Sequence, residues 1–212
     1  MTPVGNAAKV LLKELPSVYR KLINEADAKE IEEIINGHAL GAAASGLAAG
    51  WVPGAGGTAA LMASVGFIWS MYFRINKRLG IPFSKTIIKS LGSAVLTNLA
   101  GTAISLVGGA ILATALSFTG IGNVASSIIM AGLDYAVVMV SGVIYLKLLT
   151  QLFKAGKDLN SVSAEELRST AEQVMKSEDI NQMLKDAKGE YKQKHKAGEV
   201  TGKETIDLED DE

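Results

Sequence analysis

Asp134 is the residue in this sequence that most invites a chemical reading. It is the single charged residue between Ser90 and Leu146. A carboxyl group in the centre of an apolar helix costs about 3 kcal/mol on the insertion scale. Large apolar neighbours, among them Ile128, Ile129, Leu133, Val137 and Val138, each return roughly 0.4 kcal/mol, so the helix still inserts. An acid kept there faces the interior of a helix bundle, hydrogen-bonded or protonated. By type alone, Asn98, Thr102 and His38 could pair with it. A proton or ion path needs further groups to pass the charge on. One acid without a second therefore favours a structural hydrogen bond over transport.

Other chemistries find fewer residues. His38 follows Asn36-Gly37 at the entry to the first uncharged run, where it reads as a capping or interface residue. The other histidine, His195, lies in a polar segment, so spacing gathers no metal cluster. There is no cysteine, which excludes disulfides and thiolate metal sites. Gly54-Ala55-Gly56-Gly57-Thr58 shares its glycines with a phosphate loop but lacks the Gly-Lys-Ser/Thr ending, and no strand-forming run precedes it. No serine stands in nucleophile-elbow context. The sequence thus predicts no catalytic site, no cofactor and no metal. A net charge of -1 gives no case for nucleic acid.

The elements that must hold these residues are set by the placement of charge. Ile34–Phe73 contains no Asp, Glu, Lys or Arg, and Ser90–Leu146 contains only Asp134. A soluble helix of that length needs a charged or strongly polar outer face, so these runs predict helices in lipid. Each run breaks at a glycine-rich turn. Pro53, Gly54, Gly56 and Gly57 form the first, and Gly120 and Gly122 the second. The expected fold is all-α, with two membrane hairpins and up to four membrane helices. The first hairpin either crosses the bilayer or re-enters, because His38–Gly50 is mostly Ala and Gly. Trp69, Tyr72 and Phe73 suit a membrane–water interface. The segment Arg74–Lys89 is expected to be a loop whose cations Arg74, Lys77, Arg78, Lys85 and Lys89 have no acid among them, and the positive-inside rule makes it cytosolic.

Small residues recur every four positions, with Gly46 and Gly50 following Ala42, and Gly101, Ser105 and Gly109 in the second run. Such faces let helix backbones approach closely in lipid, within one protomer or between copies. Outside the runs the sequence predicts an amphipathic segment over 1–36, a membrane domain over 37–152, soluble helices over 153–196 and a disordered acidic tail over 197–212. In the first, Leu11, Leu15, Val18 and Leu22 recur at helical spacing. In the third, Ser163-Ala164-Glu165-Glu166 fits a capping box, with Leu167, Ala171 and Val174 inward. The first 37 residues are charged throughout and show no cleavable apolar core.

A family resemblance rests on a set of short patterns in order. These are Ile35-Asn36-Gly37-His38-Ala39-Leu40, an Ala/Gly-rich helix, Val52-Pro53-Gly54-Ala55, and Arg78-Leu79-Gly80-Ile81-Pro82-Phe83-Ser84-Lys85. Over about 35–152 the chain resembles the YcjF-like family of uncharacterised, GTPase-associated bacterial membrane domains. Trp51 stands where that family often has a proline, and no acid follows Gly54. The resemblance implies a bacterial inner-membrane protein that works beside a small GTPase, and it supplies no catalytic residues. The expected function is a scaffold or adaptor in the lipid bilayer, with both termini cytosolic and helical flanks that hold a cytosolic partner. The alternative is a self-associating channel, pore or membrane-remodelling protein. A third reading makes the uncharged runs the core of a large soluble oligomer.

Overall fold

The computed structural model describes residues 2–16, 19, 26–49, 56–115, 122–200, 204 and 206. Within 48–49, 56–63, 104, 107–115 and 122–127 the description covers the backbone alone. Seven helices lie in the described residues: α1 (Pro3–Glu14), α2 (Ala26–Ala49), α3 (Gly56–Leu79), α4 (Lys85–Ala115), α5 (Gly122–Lys154), α6 (Ala164–Ser177) and α7 (Ile180–Lys196). No strand occurs among these residues, so the all-α class expected from the sequence is the observed one.

α5 is the axis, and all six other helices pack on it. Every residue from Met130 to Leu146 is buried. A helix that is apolar on all sides must bury its whole circumference. Among the described residues, Ile128–Lys154 is the one helical stretch long and apolar enough to cross a membrane, with a mean hydropathy of 1.9. Protein covers 89% of its most apolar part. Much of what the sequence suggests as lipid-facing surface is therefore core.

Contacts fix the directions. Ser64 meets Asp134, Tyr72 meets Ser141 and Asn76 meets Tyr145, a near-constant offset that makes α3 and α5 parallel. α2 runs the other way, since Ile35 lies against Gly142 and Gly46 against Ala131. α7 is also antiparallel to α5, with Tyr191 beside Gly132 and Ala187 beside Met139 and Val140.

The terminal segments belong to this bundle rather than to separate flanks. α1 starts where Thr2 accepts a hydrogen bond from the Gly5 N–H at 3.0 Å and Pro3 fills the first turn, where its missing N–H costs nothing. Leu11 and Leu15 are buried as their spacing predicts, while Val18 and Leu22 lie outside the described residues. α2 passes unbroken through Asn36-Gly37, the expected boundary of the membrane domain. Ser163 caps α6 through the Glu166 N–H at 3.1 Å, and Leu167, Ala171 and Val174 face inward. The Glu166 carboxylate pairs with Lys157 at 2.6 Å, so the ion pair takes the acid expected in the capping box.

Three further expectations are corrected. The basic segment is not a loop: Arg74, Lys77 and Arg78 lie on α3, Lys85 and Lys89 on α4, and the link is 80–84. Gly80, at φ +66°, closes α3 as the Ile81 N–H returns to the Asn76 carbonyl at 2.9 Å. Acids from α2 also meet it, since Arg78 forms ion pairs with Asp27 and with Glu30, the latter at 2.6 Å. Gly56 and Gly57 form the first turn of α3 and Gly122 opens α5, helix ends where N–H groups are free in any case and glycine disturbs least. Pro53, Gly54 and Gly120 lie outside the described residues. Finally, the segment after 197 is partly held. Val200 is buried, and Ile206 sits in a notch left by Gly37 and Gly41, where a Cβ at Gly41 would come within 2.9 Å of both Ile206 and Phe67. The terminal acids Glu209–Glu212 lie outside the described residues.

Candidate functional site

The polar groups buried among α2, α3 and α5 form a line along the bundle. Ser64 donates to Asp134 Oδ1 at 3.2 Å. Next come His38, with Nδ1 2.7 Å from the Ile34 carbonyl and Nε2 3.1 Å from Ser70 Oγ. The Tyr72 hydroxyl lies 2.8 Å from Ser141 Oγ and 3.1 Å from the Ser141 carbonyl. Tyr145 donates to Asn76 Oδ1 at 2.5 Å and stacks on Tyr72 with ring centroids 4.0 Å apart. The line ends at Asp27 and Arg78.

Apart from the His38–Ile34 bond within α2, these pairs join different helices, and a buried polar pair fixes which residues face each other. The Asp134 carboxylate fills the space that a side chain at Gly46 would need: a Cβ there would collide with Oδ2 and lie 3.6 Å from the Ala131 backbone. Gly46 is thus the close-packing glycine its spacing predicts. Tyr191 of α7 packs nearby on α5, against Gly132 and the Tyr135 ring. Burial, with the Glu204 and Asp134 carboxylates, pushes the Tyr191 hydroxyl up to about 12.

The sequence-based partners of Asp134 are corrected. His38 is engaged with Ile34 and Ser70. Asn98 is exposed on α4 and donates to the Ala94 carbonyl of its own helix at 2.9 Å, because its face of α4 points away from α5. Thr102 lies beside Asn98 in a shallow cleft with Glu172 and Lys176. The small face of α4 makes no close helix contact within the protomer among its described side chains. Gly101 is exposed with nothing within 4 Å of a Cβ there, and Ser105 donates to the Thr102 carbonyl at 2.6 Å. Gly109 is described in its backbone alone, and Gly50 lies outside the described residues. The interfacial role of Tyr72 is likewise overturned: the ring is fully buried, and Trp69 instead donates to the Lys89 carbonyl at 3.0 Å with the Lys89 ammonium over its ring.

Ser64, Ser70, Asn76, Ser141 and Tyr145 went unnoticed in the sequence, and Tyr72 was read only as an interfacial aromatic. A signal existed. Ser64, Tyr72 and Asn76 fall on one helical face, and so do Asp134, Ser141 and Tyr145.

Among the described residues no group of three His, Cys, Asp or Glu could hold a metal ion. A cavity of about 170 Å³ lies between α1, α2, α5 and α7, walled by Val4, Met139, Val140 and Val143, with Asp186 and Glu190 at its edge. The pairs described join groups whose hydrogen bonds account for their placement, so the line acts as a register lock. Replacing Asp134 with asparagine is expected to leave thermal stability within about 1 kcal/mol, because the amide oxygen still accepts from Ser64. Ser64→Ala is expected to cost about 1–3 kcal/mol by taking a donor from a buried acceptor. Melting curves in mild detergent check both, and the reverse order would show that an ionised Asp134 carries structural weight.

No family model, curated protein or solved structure matches this chain. The residues that carry the YcjF-like resemblance fall in the middle of α2, at the α3–α4 link, and around Pro53 outside the described residues.

Proposed function

We propose that this chain is a membrane-seated helical scaffold, with an uncharged end in lipid and a charged end that holds a cytosolic protein. The observation that carries the reading is the separation of charge along one bundle axis. Beyond Gly132 on α5 and Thr102 on α4, toward Gly122 and Ala115, neither helix carries a charge, and the charged end of α7 reaches only about 7 Å past Gly132 beside them. At 1.5 Å per residue those extensions measure about 15 and 20 Å. The hydrocarbon core is about 30 Å thick, so the two hairpins reach the depth of about one leaflet while the rest of α5 stays sheathed. The charged side of the bundle is the cytosolic face in this reading.

The charged end offers a docking groove. α1, α5, α6 and α7 border a cleft lined by Asn6, Val10, Gln151, Val174 and Met183, with Lys147–Glu178 and Lys154–Glu14 ion pairs at its sides. Val10 is 39% exposed. A small GTPase is the partner class that the family resemblance suggests. A photo-crosslinker at Val10 or Gln151 is expected to capture one specific cytosolic protein from carbonate-washed membranes. Capture of nothing from either position, with the chain still in the membrane fraction, would remove the adaptor reading.

The second reading is self-association, favoured by the exposed, uncharged face of α4 formed by Thr97, Asn98, Gly101 and Ser105. A dimer or larger assembly in mild detergent that Gly101→Leu dissociates would support it. A strict monomer would exclude it.

A further inference from the structure

α7 is the most basic helix among those described. Its cations are sorted by face. Lys185, Lys188, Lys192 and Lys196 stand at i, i+3, i+7 and i+11, which places them within one narrow arc of the helix. Lys185, Lys192 and Lys196 are exposed and Lys188 is half-buried. Gly189 lies at the edge of the arc, with nothing within 4 Å of a Cβ there, so open surface borders the lysine stripe. The acids of α7 face another way. Asp186 and Glu190 line the cavity against α1 and α5, and Glu190 is taken by the Tyr135 hydroxyl at 2.8 Å and by Lys194 at 3.6 Å. None of the four lysines forms an ion pair among the described residues.

The direction of α7 gives this stripe its meaning. Tyr191 lies beside Gly132, and α7 continues toward the uncharged end through Lys192 and Lys196. Five residues past Tyr191 is about 7 Å. The stripe therefore climbs the outside of the bundle and finishes where the charged surface stops and the uncharged helix ends begin. Phosphate headgroups occupy that depth when the uncharged end is in lipid. Burial, with the like charge of Lys192 one turn on, already holds the Lys188 ammonium below the usual lysine value. An anion set between them would offset the like-charge repulsion.

We propose that the lysine face of α7, formed by Lys185, Lys188, Lys192 and Lys196 and bordered by Gly189, is a docking surface for the headgroups of anionic phospholipids. It rests on the membrane-seated reading and adds lipid selectivity to it. Lysines near an anionic surface each strengthen attachment severalfold, and the effect fades within about 8 Å at physiological salt. The ranking that follows is Lys196 and Lys192 first, then Lys188, with Lys185 weakest.

The test dilutes the full chain from detergent onto vesicles of phosphatidylcholine alone or with one-third phosphatidylglycerol, and measures the bound fraction by flotation. The expected result is binding to both, about 10²-fold tighter to the anionic vesicles and falling steeply between 50 and 500 mM salt. Changing all four lysines to glutamine is expected to remove the preference and leave phosphatidylcholine binding unchanged. If that variant fails to fold, as judged by circular dichroism, Lys196→Gln and Lys185→Gln decide the matter: the first must lower the preference severalfold and more than the second. Equal binding to both vesicle types, or a preference that survives the substitutions, overturns this inference alone. Loss of the preference to millimolar inorganic phosphate also overturns it, since the patch would then serve a soluble phosphate compound. Failure of the unaltered chain to float with either vesicle overturns the membrane seat itself.

Discussion

Replacing Arg78 with alanine is expected to destabilise the protein by about 3–5 kcal/mol, the usual effect of removing one partner of a buried ion pair. Asp27 is fully buried, at 0% exposure, while the Arg78 side chain retains 28%. The penalty therefore falls on the carboxylate. Without the guanidinium, α2 holds a buried anion against α3 with its main countercharge gone. The reciprocal change, Asp27→Ala, is expected to cost less, about 1–2 kcal/mol, because Arg78 keeps some solvent and its bond to Glu30. Urea titrations in mild detergent measure both, and the double variant is expected to cost less than the sum of the two. Equal small losses below about 1 kcal/mol would mean that the pair is solvated and that α2 and α3 are not clamped at this end.

Tyr145→Ala is expected to be of similar size, about 3–5 kcal/mol. Tyr145 is fully buried at the α3–α5 contact, and its ring covers Tyr72 at 4.0 Å. Removing it opens a cavity that rigid helices on each side fill poorly. Tyr145→Phe keeps the stack and removes only the donor to Asn76, for about 1–2 kcal/mol. The large gap between the two variants separates packing from hydrogen bonding. Phenylalanine as damaging as alanine would make the hydroxyl the dominant contact and the stack incidental.

Much of the helical layout was legible because local signals carry it. The leucine spacing at 11 and 15 and the serine at 163 mark helices, and the spacing of Leu167, Ala171 and Val174 marks an inward face. The uncharged runs were also legible, but their solvent was not. An apolar helix has the same composition whether lipid or protein surrounds it, so α5 could be read as a span although α1, α2, α3 and α7 cover it. The basic segment misled for a related reason. The acids that answer Arg78 sit on α2, nearly fifty positions away, where no local pattern reveals them. Of the candidate site, Asp134 and Gly46 were each visible in the sequence, and their mutual contact was not. Pairing across helices depends on register, which the matched faces of Ser64, Tyr72 and Asn76 against Asp134, Ser141 and Tyr145 encode only once α3 and α5 are known to be parallel.

In the proposed arrangement the uncharged end of the bundle is in lipid while the middle of α5 stays sheathed by its own helices. The chain has no native cysteine, so nitroxide labels can be placed one at a time at 122, 139 and 161 in the vesicle-reconstituted protein. Relaxation by oxygen reports lipid, and relaxation by a soluble nickel chelate reports water. The account predicts oxygen access at 122, little access of either kind at the buried Met139 position, and nickel access at 161. Oxygen access at 139 would contradict it by showing that the sheath opens and α5 crosses the bilayer, and nickel access at 122 would contradict it by placing the uncharged end in water.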